Sequence, residues 1–177
     1  MQITILNGSP RPGGNTDTMA GAFARGAKEA GHQVEMIHVA RKKIAACKGC
    51  QYCHSHKGVC IQKDDMEAVL HTLDHTELLV LASPIYCFDM TGQLKCTLDR
   101  MYPRGRYDLP IREAALLLNS VSEGVFEGAK AQFHTMVDYY GWKNRGILTI
   151  SGMTVEKDGA MERCPRLAEA YELGRSL

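Results

Sequence analysis

The first sixteen residues constrain the fold of this 177-residue chain more than any other stretch does. A short apolar run at residues 3–6 is followed by a loop rich in glycine, serine and proline, and a helical pattern begins at Asn15. Strand, loop and helix in this order form half of the repeating unit of a doubly wound α/β domain. The opening therefore predicts such a domain, provided that the unit recurs along the chain.

The loop has the composition of a phosphate-binding turn. It contains the glycines Gly8, Gly13 and Gly14. Glycines let backbone N–H groups approach a ligand, and the helix that follows presents further unpaired N–H groups. The candidate side-chain donors are Ser9, Arg11, Asn15 and Thr16. The spacing matches neither G-x-x-x-x-G-K-[ST] nor G-x-G-x-x-G, which favours a terminal monophosphate over ATP or a dinucleotide. The alternative is an ordinary turn in which Asn15 or Thr16 merely caps the helix.

Strand and helix patterns then alternate along the rest of the chain. The predicted strands cover residues 3–6, 34–39, 78–82, 114–121 and 146–150. The predicted helices cover residues 15–31, 66–73, 92–101, 126–140 and 160–173, with Pro165 near the first turn of the last one. This alternation predicts a single α/β domain over residues 1–177, with a five-stranded parallel sheet in the order 2-1-3-4-5 and helices on both faces.

The composition excludes several partners. The net charge is +1, and charged residues make up 23% of the chain, so nothing indicates binding to nucleic acid or to an anionic membrane. No apolar run approaches the roughly 18 residues that a membrane span needs, and a strand pattern occupies the place of a signal peptide. We therefore expect a cytoplasmic protein.

Two further loops should meet the phosphate loop, because ligands bind at the carboxyl ends of strands in open parallel sheets. Residues 83–91 follow the third strand and offer a flat apolar surface for a planar ring. The ring-facing candidates are Pro84, Ile85, Tyr86, Cys87 and Phe88. Residues 119–124 follow the fourth strand. The alternative for the second loop is that Ile85, Tyr86 and Phe88 belong to the core at a strand end.

Three motifs in this order and spacing resemble the flavodoxin-like NAD(P)H-dependent FMN reductases over nearly the whole chain. They are Gly8-Ser-Pro-Arg…Gly14-Asn-Thr16, Ser83-Pro-Ile-Tyr86 and Met90-Thr-Gly-Gln-Leu-Lys95 with Leu98-Asp-Arg100. The resemblance implies a flavodoxin-like fold and non-covalent FMN, with its phosphate at Ser9, Arg11, Asn15 and Thr16. It also implies that the ring lies against residues 84–88 and along the 119–123 loop, where the candidates are Asn119, Ser120, Ser122 and Glu123.

The same resemblance implies an activity. Electrons would pass from NAD(P)H through FMN to a small acceptor: a quinone, a flavin, an azo compound or a metal ion. The flavin itself would carry the chemistry, so that no catalytic side chain is expected. A homodimer or homotetramer would close the site with a neighbouring chain.

Four cysteines crowd into an irregular stretch, residues 41–65, which we interpret as a functional loop insertion. They are Cys47, Cys50, Cys53 and Cys60. Four soft ligands at this spacing suit an iron-sulfur cluster better than mononuclear zinc. The motif resembles that of the iron-sulfur flavoproteins, in which a [4Fe-4S] cluster passes electrons to FMN, and it makes a module fed by ferredoxin the alternative function. Free or redox-active thiols, or zinc bound with His54 or His56, remain open.

Overall fold

The computed structural model describes residues 1–105, 109–154 and 159–177. Its strands are β1 (Gln2–Asn7), β2 (Gln33–His38), β3 (Leu78–Tyr86), β4 (Asp89–Met90), β5 (Glu113–Asn119) and β6 (Lys143–Ile150). Its helices are α1 (Asn15–Glu29), α2 (Tyr52–Ser55), α3 (Met66–Leu73), α4 (Gly92–Asp99), α5 (Glu127–Tyr140) and α6 (Leu167–Arg175). Every predicted strand and helix has a counterpart here.

The main strands form a parallel sheet in the order β2-β1-β3-β5-β6. With β4 set aside, this is the predicted order 2-1-3-4-5, so the α/β, doubly wound fold class is confirmed. The sixth strand, β4, is a correction: it has two residues and pairs antiparallel with the end of β3. The sequence predicted a loop from Ser83 onwards, but β3 continues to Tyr86. Beyond Ala82, β3 no longer pairs with β1 and pairs only with β5 on its other side. Pro84 is tolerated there because the side of the strand without a partner requires no backbone N–H donor.

The core lies in two layers, one on each face of the sheet. Along β3, Leu78, Val80 and Ala82 belong to the apolar cluster that contains α1 and α6 residues. The intervening Leu79 and Leu81 belong to the cluster that contains α3, α4 and α5 residues. Burial on both faces explains why the central strands are continuously apolar. No helix within residues 1–105, 109–154 and 159–177 is long and apolar enough to cross a membrane.

Two predicted boundaries were wrong for identifiable reasons. The last helix begins at Leu167 rather than at residue 160, so Pro165 precedes the helix instead of lying in its first turn. Strand β6 begins at Lys143 rather than at residue 146. Its first residues are polar because β6 is an edge strand, and polar side chains there give no strand pattern.

Candidate functional site

A cavity of about 460 Å³ lies at the carboxyl ends of β1, β3, β5 and β6. It is lined by Ser9, Arg11, Asn15, Thr16, Pro84, Ile85, Tyr86, Asn119, Ser120, Val121, Met153 and Thr154. The structure therefore brings most of the predicted cofactor-binding residues together around one space. The lining residues that follow β1 are polar. The lining residues at the end of β3, from Pro84 to Tyr86, are largely apolar.

The turn between β1 and α1 leaves the start of the helix uncapped by side chains. Gly14 is the N-cap residue in extended conformation, and it makes no side-chain cap to the first turn. The Asn15 side chain instead contacts Thr154 O at 3.0 Å and the Met161 amide at 3.2 Å. Thr16 Oγ1 accepts a hydrogen bond of 2.7 Å from Asn119 Nδ2. The alternative that Asn15 or Thr16 caps the helix was therefore wrong. The positive end of the α1 dipole lies next to Ser9 and Arg11, the cavity residues that precede α1 in the chain.

The turn is held by a carboxylate that the sequence analysis missed. Asp17 accepts hydrogen bonds of 2.7 Å each from Asn7 Nδ2, Gly13 N and Arg41 Nη2. His38 lies beside the same carboxylate, and burial lowers the pKa of His38 more than Asp17 raises it. These donors satisfy the negative charge of Asp17. The sequence signal for it was an acidic residue in the first turn of the helix after the glycine loop.

A second set of hydrogen bonds joins the loops after β1 and β3. Thr91 Oγ1 donates to Gly8 O at 2.8 Å, and the Thr91 amide donates to Ser83 Oγ at 3.0 Å. Thr91 also caps α4 by accepting from Leu94 N. A Cβ atom at Gly8 would come within 2.6 Å of Thr91 Oγ1, so this contact requires glycine. The two loops are thereby fixed side by side, as the strand order predicts.

The tip of the β3–β4 hairpin is strained and exposed. Cys87 and Phe88 have φ angles of 49° and 66°, and Phe88 is 73% exposed. Tyr86 is 41% exposed, so the core alternative was wrong for Tyr86 and Phe88, whereas Ile85 is partly buried against the core. Cys87 and Phe88, together with the exposed residues Ser122 and Glu123, do not line the cavity. Their roles stay predictions.

Three lining residues were not predicted: Val121, Met153 and Thr154. Met153 is buried, and its amide donates to Ser120 O at 3.0 Å, which brings the segment after β6 to the loop after β5. The rule that ligands bind at strand carboxyl ends applies to β6 as well. That position, rather than any residue motif, was the signal that could have identified Met153 and Thr154.

The four clustered cysteines line a second cavity, of about 360 Å³, together with Arg100 and Tyr102. We call residues 41–65 the cysteine segment. All four thiols are free, and Cys47 and Cys50 are exposed. Within the described residues, no three His, Cys, Asp or Glu side chains are already grouped as a metal site. The cavity thus offers a soft donor set, but the segment would have to close around a metal to use it.

The two histidines of the cysteine segment are engaged elsewhere. His54 Nε2 forms a hydrogen bond of 2.8 Å with Tyr102 OH. The ring of His56 stacks on Tyr52 with a centroid distance of 3.6 Å, and its Nδ1 lies 2.9 Å from Tyr52 O. These contacts fix the short helix α2 and its surroundings rather than directing either ring to the cysteines.

A buried ion pair joins the cysteine segment to the end of α4. Arg100 is 1% exposed and forms a bidentate pair with Asp64, with N–O distances of 2.8 and 3.0 Å. Burial alone would raise the pKa of Asp64, but hydrogen bonds from Arg100, Ala45 and Met66 outweigh it and lower that pKa. Burial alone would lower the pKa of Arg100, but the neighbouring Asp64 and Cys60 outweigh burial and raise that pKa. Asp99 pairs with Lys95 on the exposed side of the helix.

Residues 1–158 match the family model of the NADPH-dependent FMN reductases. This match covers most of the chain and both cavities. The chain belongs to this family. The family assignment predicted from the sequence motifs is confirmed.

Relatives within and around the FMN reductase family carry two kinds of name. An iron-sulfur flavoprotein of Archaeoglobus fulgidus is 40% identical over 59% of this chain and 47% of its own length. The chain thus matches about half the length of that relative. A Bacillus subtilis protein, provisionally named an NAD(P)H-dependent FMN-containing oxidoreductase, is 31% identical over 86% of each chain. Among solved structures, an NAD(P)H:quinone oxidoreductase from Methanothermobacter marburgensis has a TM-score of 0.77 at 21% identity, covering 99% of this chain and 95% of its own, which shows the shared fold.

The strained tip of the β3–β4 hairpin gives a stability prediction. Replacing Phe88 with Gly should raise the free energy of unfolding by about 1 kcal/mol, because glycine adopts a positive φ without the steric cost of a Cβ atom. The exposed Phe88 ring contributes little packing that could be lost. Phe88→Ala is the matched control: it also removes the ring but keeps the Cβ atom, so it should give no such gain. Urea unfolding of the three proteins measures the difference, and equal stability of both variants would contradict the strain.

Proposed function

We propose that the chain binds FMN non-covalently in the cavity at the carboxyl ends of its strands. We further propose that it passes electrons from NAD(P)H through the flavin to a small acceptor, such as a quinone, a free flavin, an azo compound or a metal ion. The observation that supports this proposal is the division of a single cavity into a polar part at the start of α1 and an apolar part at the end of β3. FMN has the same division, between a phosphate and a planar ring.

The polar part would hold the phosphate. The uncapped start of α1 supplies backbone donors, and the side chains that would contact the phosphate are Ser9, Arg11, Asn15 and Thr16. The guanidinium of Arg11 would neutralise part of its charge. Because Asp17 is already satisfied by Asn7, Gly13 and Arg41, its carboxylate would not compete for these donors.

The apolar part would hold the isoalloxazine ring. Pro84, Ile85 and Tyr86 would lie against one side of the ring, while Asn119 and Ser120 would face its polar edge. Bound there, FMN supplies the hydride and electron chemistry. The chain's own residues bind the cofactor, orient it and limit the access of water. No side chain is assigned a catalytic role.

The exposed residues near the cavity would serve the second substrate or a neighbouring copy. Cys87, Phe88, Ser122 and Glu123 follow lining residues directly in the chain but do not line the cavity themselves. We propose that they contact the outer part of the ring or the molecule that exchanges electrons with it, in a homodimer or homotetramer. An exposed Phe88 beside Tyr86 provides the aromatic surface that such a contact needs.

Removing the proposed phosphate contacts should weaken FMN more than riboflavin, which has the same ring but no phosphate. Replacing Arg11 and Ser9 with Ala should lower the affinity for FMN about ten-fold or more, because a hydrogen bond to a charged group contributes about 1.5–3 kcal/mol. The affinity for riboflavin should barely change. Quenching of flavin fluorescence on titration measures both constants.

Arg25→Ala is the matched control for this experiment, since Arg25 is an exposed arginine of α1 outside the cavity. It should leave the affinity for both flavins unchanged. Equal losses for FMN and riboflavin in the Arg11 and Ser9 variants would refute the assignment of the phosphate to this turn.

A second candidate function is supported by the cysteine cavity. All four clustered cysteines line it, and curated relatives of this chain carry the name iron-sulfur flavoprotein. In this alternative the chain would be an electron-transfer module. A [4Fe-4S] cluster held by Cys47, Cys50, Cys53 and Cys60 would relay electrons from a protein such as ferredoxin to FMN.

Analysis of iron, acid-labile sulfide, zinc and flavin in anaerobically purified protein separates the two candidates. The second candidate predicts about four iron atoms and four sulfides per chain, as in a [4Fe-4S] cluster, with little NAD(P)H oxidation. In that case Cys60→Ser should lose the iron, whereas Cys96→Ser, a cysteine outside the cavity, should keep it. Flavin with rapid NAD(P)H oxidation and no iron would contradict the second candidate and favour the first.

A further inference from the structure

Arg100 is a buried charge that the FMN proposal leaves unused. It follows the last residue of α4, is 1% exposed, and lines the cavity that also contains Cys47, Cys50, Cys53 and Cys60. Removing a guanidinium from water is costly unless its charge and its donors are satisfied. The contacts of Arg100 should therefore show which groups compensate for the burial of its charge.

Part of the guanidinium joins the two ends of the cysteine segment. Arg100 Nη1 donates to Ala45 O and to Asp64 Oδ2, both at 2.8 Å. Asp64 in turn accepts from the Ala45 amide at 3.0 Å. Ala45 lies two residues before Cys47, and Asp64 lies four residues after Cys60. The pair thus fixes the points between which all four cysteines lie.

The Nε–H of Arg100 takes no part in these contacts. Arg100 Nε is buried and makes no hydrogen bond within the described chain. A buried donor left without an acceptor is destabilising, and more so when it carries charge. The ion pair with Asp64 does not explain this donor. Cys60 lines the same cavity as Arg100, and the sulfur of a metal-bound cysteine is a thiolate that accepts hydrogen bonds.

A metal-bound cavity would carry a charge opposite in sign to that of Arg100. Four thiolates around one divalent ion carry a net charge of about −2, because each coordinating cysteine is deprotonated. Asp64 alone would add to that negative charge, and Arg100 offsets it.

We propose that Arg100 is a positioning residue for a soft-metal centre held by the four cysteines. It fixes both ends of the cysteine segment, and its charge and its unpaired Nε–H stabilise the thiolates. This inference rests on the cysteine site of the second candidate function and is independent of the FMN cavity.

A purely structural ion pair is the competing explanation, and two variants distinguish it. Arg100→Gln and Asp64→Asn both break the pair, so a structural role predicts similar losses of metal binding in both. They change the charge near the thiolates in opposite directions, however. A role of Arg100 toward the thiolates predicts weaker binding in Arg100→Gln alone, with binding in Asp64→Asn unchanged or tighter.

The experiment titrates Cd²⁺ into the full chain after metal removal by a chelator and reduction of the thiols. The thiolate-to-cadmium absorption band follows binding, and Cys60→Ser defines the contribution of the cavity. Arg100→Gln should lower the affinity about ten-fold or more, as substitutions of residues that support metal ligands do. Arg100→Lys, which keeps the charge, should recover part of this loss and provides a second variant if Arg100→Gln does not fold.

Arg166→Gln is the matched control. Arg166 forms a similar bidentate pair with Glu169 and also donates to a backbone carbonyl, Thr149 O, but it lines no cavity that contains one of the four cysteines. Its substitution should leave Cd²⁺ affinity unchanged. Equal losses in Arg100→Gln and Asp64→Asn, or no loss in Arg100→Gln and Arg100→Lys, would overturn the role of Arg100 while leaving the cysteine site standing. Failure of the unsubstituted chain to bind Cd²⁺ through Cys60 would overturn both, and FMN binding would remain a separate measurement.

Discussion

The parallel pairing of β1 with β3 is the constraint on which the candidate flavin site depends. Their register ends with Asn7 opposite Ala82, so both strands reach the same edge of the sheet. Directly beyond it, the Gly8 amide donates to Ala82 O, and Thr91 Oγ1 donates to Gly8 O, both at 2.8 Å. The turn proposed to hold the phosphate and the hairpin proposed to hold the ring are thereby placed next to each other. Without this register the same residues would line no common cavity.

Helix α4 relates the flavin cavity to the cysteine cavity within a single chain. It is preceded by Thr91, which is bonded to the turn after β1, and followed by Arg100, which is bonded to the cysteine segment. Its eight residues span about 12 Å. The two candidate sites are thus structurally adjacent whichever function the chain performs.

Local sequence patterns were sufficient to predict the buried strands and the order of the elements. The continuous apolar runs predicted the buried strands, and the alternation of elements predicted their order. The hairpin after β3 was not predictable because Cys87-Phe88 lacks the Asn-Gly or Asp-Gly signature of such turns and is held by its surroundings instead. The pairing of Arg100 with Asp64 was not predictable because it joins residues far apart in the chain. Whether the cysteines bind a metal depends on closure of an exposed segment, which spacing alone does not determine.

A crystal structure of the protein grown with excess FMN tests the central claim most directly. The account predicts the phosphate at the start of α1, in contact with Ser9 and Arg11, and the ring against the segment from Pro84 to Tyr86. Density for the phosphate at another place on the protein, or a cavity that stays closed by its own side chains under saturating FMN, would contradict it.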